Sequence, residues 1–134
     1  MIFSGDSQHE QRNNPHRQSA QSNGPYEQAI KVGDFIYTAG QIPIDPETGN
    51  FVAGGITEQT RQVLKNLKAV VEAGGSSLDR VVKATVFLKN LGDFAAMNEV
   101  YSEFLNHAKP ARSTVAVADL PRGALVEIDL FAIL

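Results

Sequence analysis

Hydrophobic residues recur along the chain with helical spacing in two segments. From about residue 57 to residue 73 they return every three or four positions, which predicts a helix with one buried stripe. Thr57 is its expected N-cap, and Gly74-Gly75 provides the stop because glycine accepts a left-handed C-cap. A second stripe begins near Asp93, a good N-cap residue, and runs to about residue 105.

Five shorter segments have the apolar or alternating pattern of strands. They cover residues 28–32, 35–39, 81–88, 112–117 and 125–133. The order ββαβαββ predicts an α+β fold with a mixed sheet, and two helices can cover only one face of that sheet. Residues 1–23 are polar, which predicts an N-terminal tail before a single domain at residues 24–134.

Successive residues of a strand point to opposite faces, so each strand offers two rows of side chains. In the last strand, one row is apolar and suits the helices: Val126, Ile128, Leu130 and Ala132. The other row mixes acids with large apolar groups: Leu125, Glu127, Asp129, Phe131 and Ile133. In the central strand, the row predicted to belong with the helices is Val82, Ala84, Val86 and Leu88, and the opposite row is Val81, Lys83, Thr85 and Phe87.

The row that contains Glu127 predicts a subunit interface. If Val115 and Val117 face the helices, Arg112 and Thr114 point to the same side as Glu127. Large apolar residues such as Phe131 should not be left in water on that side. We therefore expect this face to be covered by other copies of the chain in a closed oligomer.

Composition narrows the classes of function. The 134 residues carry a formal net charge of -3 and no basic run, which disfavours a nucleic-acid partner. The absence of cysteine excludes disulfides and thiolate chemistry, and no apolar run approaches membrane-spanning length. His9, His16 and His107 lack the spacing of metal ligands, so no metal site is expected. A cytoplasmic location is expected, with a mitochondrial one left open.

Arg112 and Glu127 are the residue pair best suited to chemistry. A guanidinium can hold a carboxylate through two parallel hydrogen bonds, and a carboxylate in half-apolar surroundings can exchange protons near neutral pH. A structural salt bridge between the two is the alternative, and spacing alone gives it similar weight. Gly40 either lets a ligand approach the backbone or marks a β-bulge. Tyr26 and Asn98 are weaker candidates for ligand contacts.

Five motifs in order resemble the Rid (YjgF, reactive intermediate deaminase) family, from about residue 23 to residue 134. The first motif of the family is similar to the stretch Asn23-Gly24-Pro25-Tyr26-Glu27-Gln28-Ala29. The second motif is similar to Thr38-Ala39-Gly40-Gln41-Ile42-Pro43. Lys83-Ala84-Thr85-Val86-Phe87-Leu88 resembles the central strand. The signature of the family resembles Pro110-Ala111-Arg112-Ser113-Thr114-Val115, then Leu120-Pro121 and Val126-Glu127-Ile128.

The resemblance implies a chorismate-mutase-like mixed sheet backed by two helices, assembled as a trimeric barrel with clefts between subunits. It implies a cofactor-free deaminase acting on 2-iminobutanoate and 2-iminopropanoate, with 2-keto acids and ammonia as products. Arg112 would bind the substrate carboxylate, and Glu127 would activate the attacking water. The cleft would be completed by four further residues: Tyr26, Gly40, Asn98 and Thr114.

Departures from the family pattern concern substrate range. Ala39 stands where many deaminating members carry Ser, and Lys109 precedes Pro110 where an aromatic residue is common. The connection before Pro110 is also short. These departures leave open a non-enzymatic module that binds small carboxylates. An endoribonuclease or translation inhibitor, an activity that the resemblance also implies for some members, is a further alternative.

Overall fold

Within the described part of the chain, seven strands form one mixed sheet and two helices pack on one of its faces. The structure is a computed structural model that describes residues 3–5, 17–20 and 27–134. The strands are β1 (Phe3–Gly5), β2 (Arg17–Ala20), β3 (Ala29–Val32), β4 (Phe35–Thr38), β5 (Val81–Leu88), β6 (Ala111–Ala116) and β7 (Val126–Ile133). The helices are α1 (Ile56–Ala73) and α2 (Phe94–Leu105).

The sheet order is β1-β2-β3-β4-β7-β5-β6. Only the β5–β6 pair among these strands is parallel, and α2 makes the crossover between its two members. The predicted α+β architecture, with five strands and two helices, is confirmed. The sheet extends further than predicted, because β1 and β2 lie in the stretch expected to be a tail and β2 pairs antiparallel with β3.

The start of α1 differs from the prediction. Gly55, not Thr57, is the N-cap, and the helix begins at Ile56. The Glu58 carboxylate accepts a hydrogen bond from the Gly55 backbone N–H at 2.9 Å. A glutamate at this position of the first turn satisfies one of the free N–H groups, so a polar N-cap side chain is not needed.

The core lies between the helices and one face of β5 and β7. The predicted apolar row of β7 is confirmed, since Val126, Ile128, Leu130 and Ala132 are fully buried. In β5, however, Val81 is buried and Val82 is 43% exposed, the reverse of the prediction. A register shift between Val81 and Lys83 against β7 causes this reversal, because a bulge interrupts the alternation of faces.

Strand β6 has the opposite orientation to the one predicted. Arg112 is paired with Ala84 and Thr114 with Val86, and residues paired across strands project to the same face. Arg112 and Thr114 therefore lie on the helix side of the sheet, whereas Val115 is exposed on the other side. Val115 in β6 and Val117 just after it led to the wrong orientation, because an apolar residue occurs on an exposed surface as well as in a core.

A bulge also separates β4 from the segment that follows it. Tyr37 is opposite Phe131 and Gln41 is opposite Ile128, so residues 38–40 span the length of residues 129–130. The Thr38 hydroxyl accepts a hydrogen bond from the Leu130 N–H at 2.9 Å, replacing the backbone carbonyl that the bulge displaces. This irregularity places Gly40 above the β7 strand.

No helix in the described residues has the length and apolar character needed to cross a membrane.

Thr38→Val tests the bulge. The change leaves the buried Leu130 N–H without an acceptor, so we expect a loss of about 1–3 kcal/mol in the free energy of unfolding. Urea denaturation measures this loss, with Thr57→Val in the exposed first turn of α1 as the control. Equal stability of the two variants would contradict the role given to the Thr38 hydroxyl.

Candidate functional site

Arg112 is held against helix α2 by one hydrogen bond and two aromatic rings. Its Nη1 donates a hydrogen bond to Asn98 Oδ1 at 2.7 Å. The guanidinium carbon lies 4.6 Å from the centre of the Tyr101 ring and 5.4 Å from that of Phe94. Cation–π contacts and a side-chain amide thus fix the guanidinium plane and leave its other N–H groups available for a ligand.

The three partners of Arg112 share one face of α2. Phe94, Asn98 and Tyr101 are spaced four and three residues apart, which aligns them along the helix. The sequence prediction included Asn98, whereas Phe94 and Tyr101 were given no role beyond the apolar stripe of the second helix. The signal that could have identified them is an Asn between two aromatic residues at this helical spacing, in a helix that faces a strand containing an arginine.

Tyr101 is nearly buried beside Arg112, with 7% of its surface exposed. Burial raises the pKa of its phenol, and the neighbouring Arg112 charge opposes this rise. The hydroxyl is close enough to Arg112 to feel its charge, yet it makes no hydrogen bond of normal geometry within the described residues. An unpaired buried hydroxyl is costly, so a ligand group or water is expected to bind there.

A cavity of about 330 Å³ opens beside the guanidinium. Its walls come from α2, the turn after it and the start of β6, including Asn98, Tyr101 and Arg112. Thr114 lies two residues further along β6 on the same side as Arg112, and its buried hydroxyl also lacks a partner among the described residues. The Arg112 side of the sheet therefore has the positive charge and hydrogen-bonding groups of an anion site.

Glu127 lies on the opposite face, under Gly40. It is paired with Phe87, and it is half-buried. A Cβ at position 40 would lie 2.5 Å from Glu127 Oε2, closer than such atoms can approach. The Glu127 side chain would therefore have to move to admit a side chain at position 40. Gly40 lies in the irregular stretch after β4, as the β-bulge interpretation predicts, and its role in the approach of a ligand stays a prediction.

Glu127 and Asp129 form an acidic pair on this face. Burial, together with the Asp129 charge, raises the pKa of Glu127. Burial also raises the pKa of Asp129, while a hydrogen bond from Thr85 and the Lys83 charge oppose the rise. Lys83 donates a hydrogen bond to Ser113 Oγ at 2.9 Å. Asp129 was not predicted as a site residue, although its spacing from Glu127 places it on the same row.

The Arg112 and Glu127 groups do not meet within one chain. They project from opposite faces of the sheet, so the predicted placement of both on one face is wrong, and so is a salt bridge between them within one subunit. Tyr26 lies outside the described residues. Among those that are described, no three His, Asp or Glu side chains converge as metal ligands, and His107 pairs with Asp79 at 3.1 Å.

An open apolar surface surrounds Glu127. Five residues on this face are 38–44% exposed: Phe35, Tyr37, Val115, Phe131 and Ile133. Tyr37 stacks edge-on against Phe131, with ring centres 5.0 Å apart. An apolar patch of this kind next to acidic groups is typical of a surface that another protein covers.

Asp129→Asn tests the acidic pair. Removal of the Asp129 charge should lower the pKa of Glu127 towards its ordinary value, while the effect of burial stays, because a neighbouring negative charge disfavours ionisation. NMR titration of the Glu127 carboxyl measures this change, with Asp45→Asn in an exposed turn as the control. An unchanged or higher pKa in Asp129→Asn would contradict the coupling.

Comparison with known proteins places these features in a family. A family model described as Endoribonuclease L-PSP matches residues 16–134. A RutC family protein of Pyrococcus abyssi is 60% identical over 109 residues, which cover 81% of this chain and 86% of that protein. A Dermatophagoides farinae protein named 2-iminobutanoate/2-iminopropanoate deaminase is 45% identical, over 83% of this chain and 87% of that protein. The crystal structure of RidA from a Psychrobacter species superposes with a TM-score of 0.80 and 44% identity, covering 87% of this chain and 94% of that one.

Proposed function

Because this chain belongs to the YjgF/Rid family, matched by the Endoribonuclease L-PSP model, we propose that it hydrolyses 2-imino acids to 2-keto acids and ammonia in a homotrimer. One observation carries the proposal: a fixed guanidinium and a half-buried carboxylate of raised pKa lie on opposite faces of the sheet. Such groups can act on one substrate only if two subunits bring them together. The deaminase name of the Dermatophagoides relative supports the reaction.

Assembly would use the open face of the sheet. The exposed apolar residues around Glu127 are stabilised when another subunit buries them. A closed ring of subunits would bury this face in every copy. It would also bring the helix-covered face of one sheet, at its edge, close to the next subunit. In such a ring, Arg112 of one subunit and Glu127 of its neighbour line one cleft. Gly40 lies at the Glu127 side of that cleft, and Asn98 and Thr114 at the Arg112 side.

Arg112 would bind the carboxylate of the imino acid. One of its N–H groups is engaged by Asn98, and the rings of Tyr101 and Phe94 keep the guanidinium plane in place. The remaining N–H groups can bind both oxygens of a carboxylate, which fixes the position of the adjacent C=N carbon. Binding energy is used in this way to orient the reacting atom.

Glu127 would accept a proton from a water molecule as its oxygen attacks the C=N carbon. The imino nitrogen takes up a proton from solvent as the carbon becomes tetrahedral. A second protonation of this nitrogen lets the C–N bond break to release ammonia, and the hydroxyl gives up its proton to solvent to leave the keto group. Glu127 can return its proton to the leaving nitrogen, because burial and Asp129 bring its pKa closer to neutrality. The absence of a side chain at Gly40 leaves room for the Glu127 carboxylate itself, whose Oε2 lies 2.5 Å from the position that a Cβ would take.

An endoribonuclease is the second candidate, because the matching family model carries that description. The net charge of -3 opposes it, since binding to phosphates depends on positive charge. RNA cleavage that survives repeated purification and disappears in Glu127→Gln would favour it over the deaminase. A binding module without activity would instead be stabilised by 2-keto acids in a thermal melt and would not accelerate imine hydrolysis.

Arg112→Ala tests the carboxylate site. The loss of charge-assisted hydrogen bonds should lower kcat/KM roughly tenfold to a hundredfold for keto-acid release from an imine generated by threonine dehydratase. Arg122→Ala is the matched control, because Arg122 also contacts an aromatic ring, 5.0 Å from the centre of Phe51, but lies in another loop. Wild-type rates in a folded Arg112→Ala protein would refute the assignment.

Tyr37→Lys tests the assembly. A charge in the middle of the open face should prevent its burial, so the variant is expected to be monomeric by light scattering and inactive although Arg112 and Glu127 are intact. Leu91→Lys, at a residue 58% exposed before α2, should keep both the mass and the activity of the wild type. A monomeric wild-type protein, or an active monomeric variant, would contradict the shared site.

A further inference from the structure

The cavity beside Arg112 is lined by a second basic residue, which the reaction proposed above does not use. Lys109 lines its rim, three residues before Arg112. Its other wall residues in the turn and α2 are neutral, among them Ser102 and Asn106. No Asp or Glu belongs to the walls as the described residues form them, so Arg112 and Lys109 line one cavity without a carboxylate in its walls to balance their charges.

The backbone holds Lys109 firmly at this rim. Its N–H donates a hydrogen bond to the Leu105 carbonyl at 2.9 Å, and Pro110 follows it directly. Its φ of 47° is left-handed, which is unusual for a residue other than glycine and more so before a proline. A strained backbone conformation of this kind fixes where the Lys109 side chain leaves the main chain at the rim, and it is a reason to look for a role.

Acids on neighbouring turns do not neutralise these charges, because they are engaged elsewhere. Glu103 pairs with Arg61, and Asp79 pairs with His107. The C-terminal carbonyls of α2 would disfavour an anion, but those of Ser102 and Leu105 already accept backbone hydrogen bonds. The Tyr101 hydroxyl is buried in the wall and has no hydrogen-bond partner of normal geometry in the part of the chain that the structure describes, so it offers a further polar contact.

From this arrangement we infer that Lys109 selects 2-imino acids whose side chain carries a second acidic group, such as the imines derived from aspartate and glutamate. The inference rests on the proposed function, in which Arg112 binds the carboxylate next to the C=N carbon. The Lys109 ammonium, a point charge on a flexible stem, then binds the side-chain carboxylate at the rim. The reaction is unchanged: water adds to the C=N carbon, the C–N bond breaks, and a dicarboxylic keto acid and ammonia leave.

Lys109→Gln tests the inference, because glutamine keeps the length of the side chain and removes its charge. Imines are generated in the assay by amino-acid oxidases, from aspartate and glutamate in one arm and from alanine and 2-aminobutanoate in the other. We expect the wild type to prefer the acidic imines. In Lys109→Gln, kcat/KM should fall about tenfold for the acidic imines and change by less than about twofold for the neutral ones. Lys109→Arg should restore the preference.

Lys65→Gln, at an exposed lysine of α1, is the control and should behave as the wild type. Equal effects of Lys109→Gln on both classes of imine, or no effect on either, would overturn the inference. If the wild type accelerates no imine hydrolysis, the proposed function fails, and calorimetric binding of 2-oxoglutarate and 2-oxobutanoate decides the role of Lys109 separately. Lys109→Gln should then bind 2-oxoglutarate about tenfold more weakly than the wild type and should bind 2-oxobutanoate equally well. Equal affinities of the wild type and Lys109→Gln for 2-oxoglutarate would overturn the inference.

Discussion

The register of β5 with its two neighbours determines where every candidate group lies. On one side, Arg112 of β6 is paired with Ala84; on the other, Glu127 of β7 is paired with Phe87. Ala84 and Phe87 are separated by an odd number of positions, so their side chains and those of their partners project from opposite faces. In a single subunit, Arg112 therefore lies on the face under α2 and Glu127 lies on the open face, so the two groups of the proposed hydrolytic site do not meet.

Each half of the proposed site is prepared by its surroundings before any partner arrives. On the helix side, Asn98, Phe94 and Tyr101 fix the guanidinium of Arg112. On the open side, the bulge held by Thr38 brings Gly40 over Glu127, and burial raises the pKa of that carboxylate. Because these groups are already held in position, less free energy is lost in ordering them when a substrate binds.

Much of the fold could be predicted because the hydrophobic pattern alone distinguishes the helices from the strands. What could not be predicted depends on local irregularity. A bulge exchanged the faces of Val81 and Val82, and Glu58 allowed α1 to begin at Ile56 without a polar N-cap side chain. In β6, Val115 is an exposed valine, but its place in the sequence pattern is the same as that of a core residue, and this reversed the predicted face of Arg112.

The candidate site was predicted in its residue types but not in its arrangement. Resemblance to the family identified Arg112, Glu127, Gly40 and Asn98, and the structure places them as two separated pairs. The aromatic contacts of Arg112 and the coupling of Asp129 to Glu127 were missed, because both depend on contacts between elements that sequence spacing does not reveal. The boundary of the domain at residue 24 stays a prediction.

Subunit mixing tests the central claim most directly. Arg112→Ala and Glu127→Gln chains, each strongly impaired alone, are co-expressed so that mixed oligomers form. If a cleft takes its arginine from one subunit and its acid from the next, about a quarter of the clefts in a random mixture hold both intact groups, and about a quarter of the wild-type activity should return. A mixture that stays as inactive as its parents, although mass spectrometry shows mixed oligomers, would contradict a site shared between subunits.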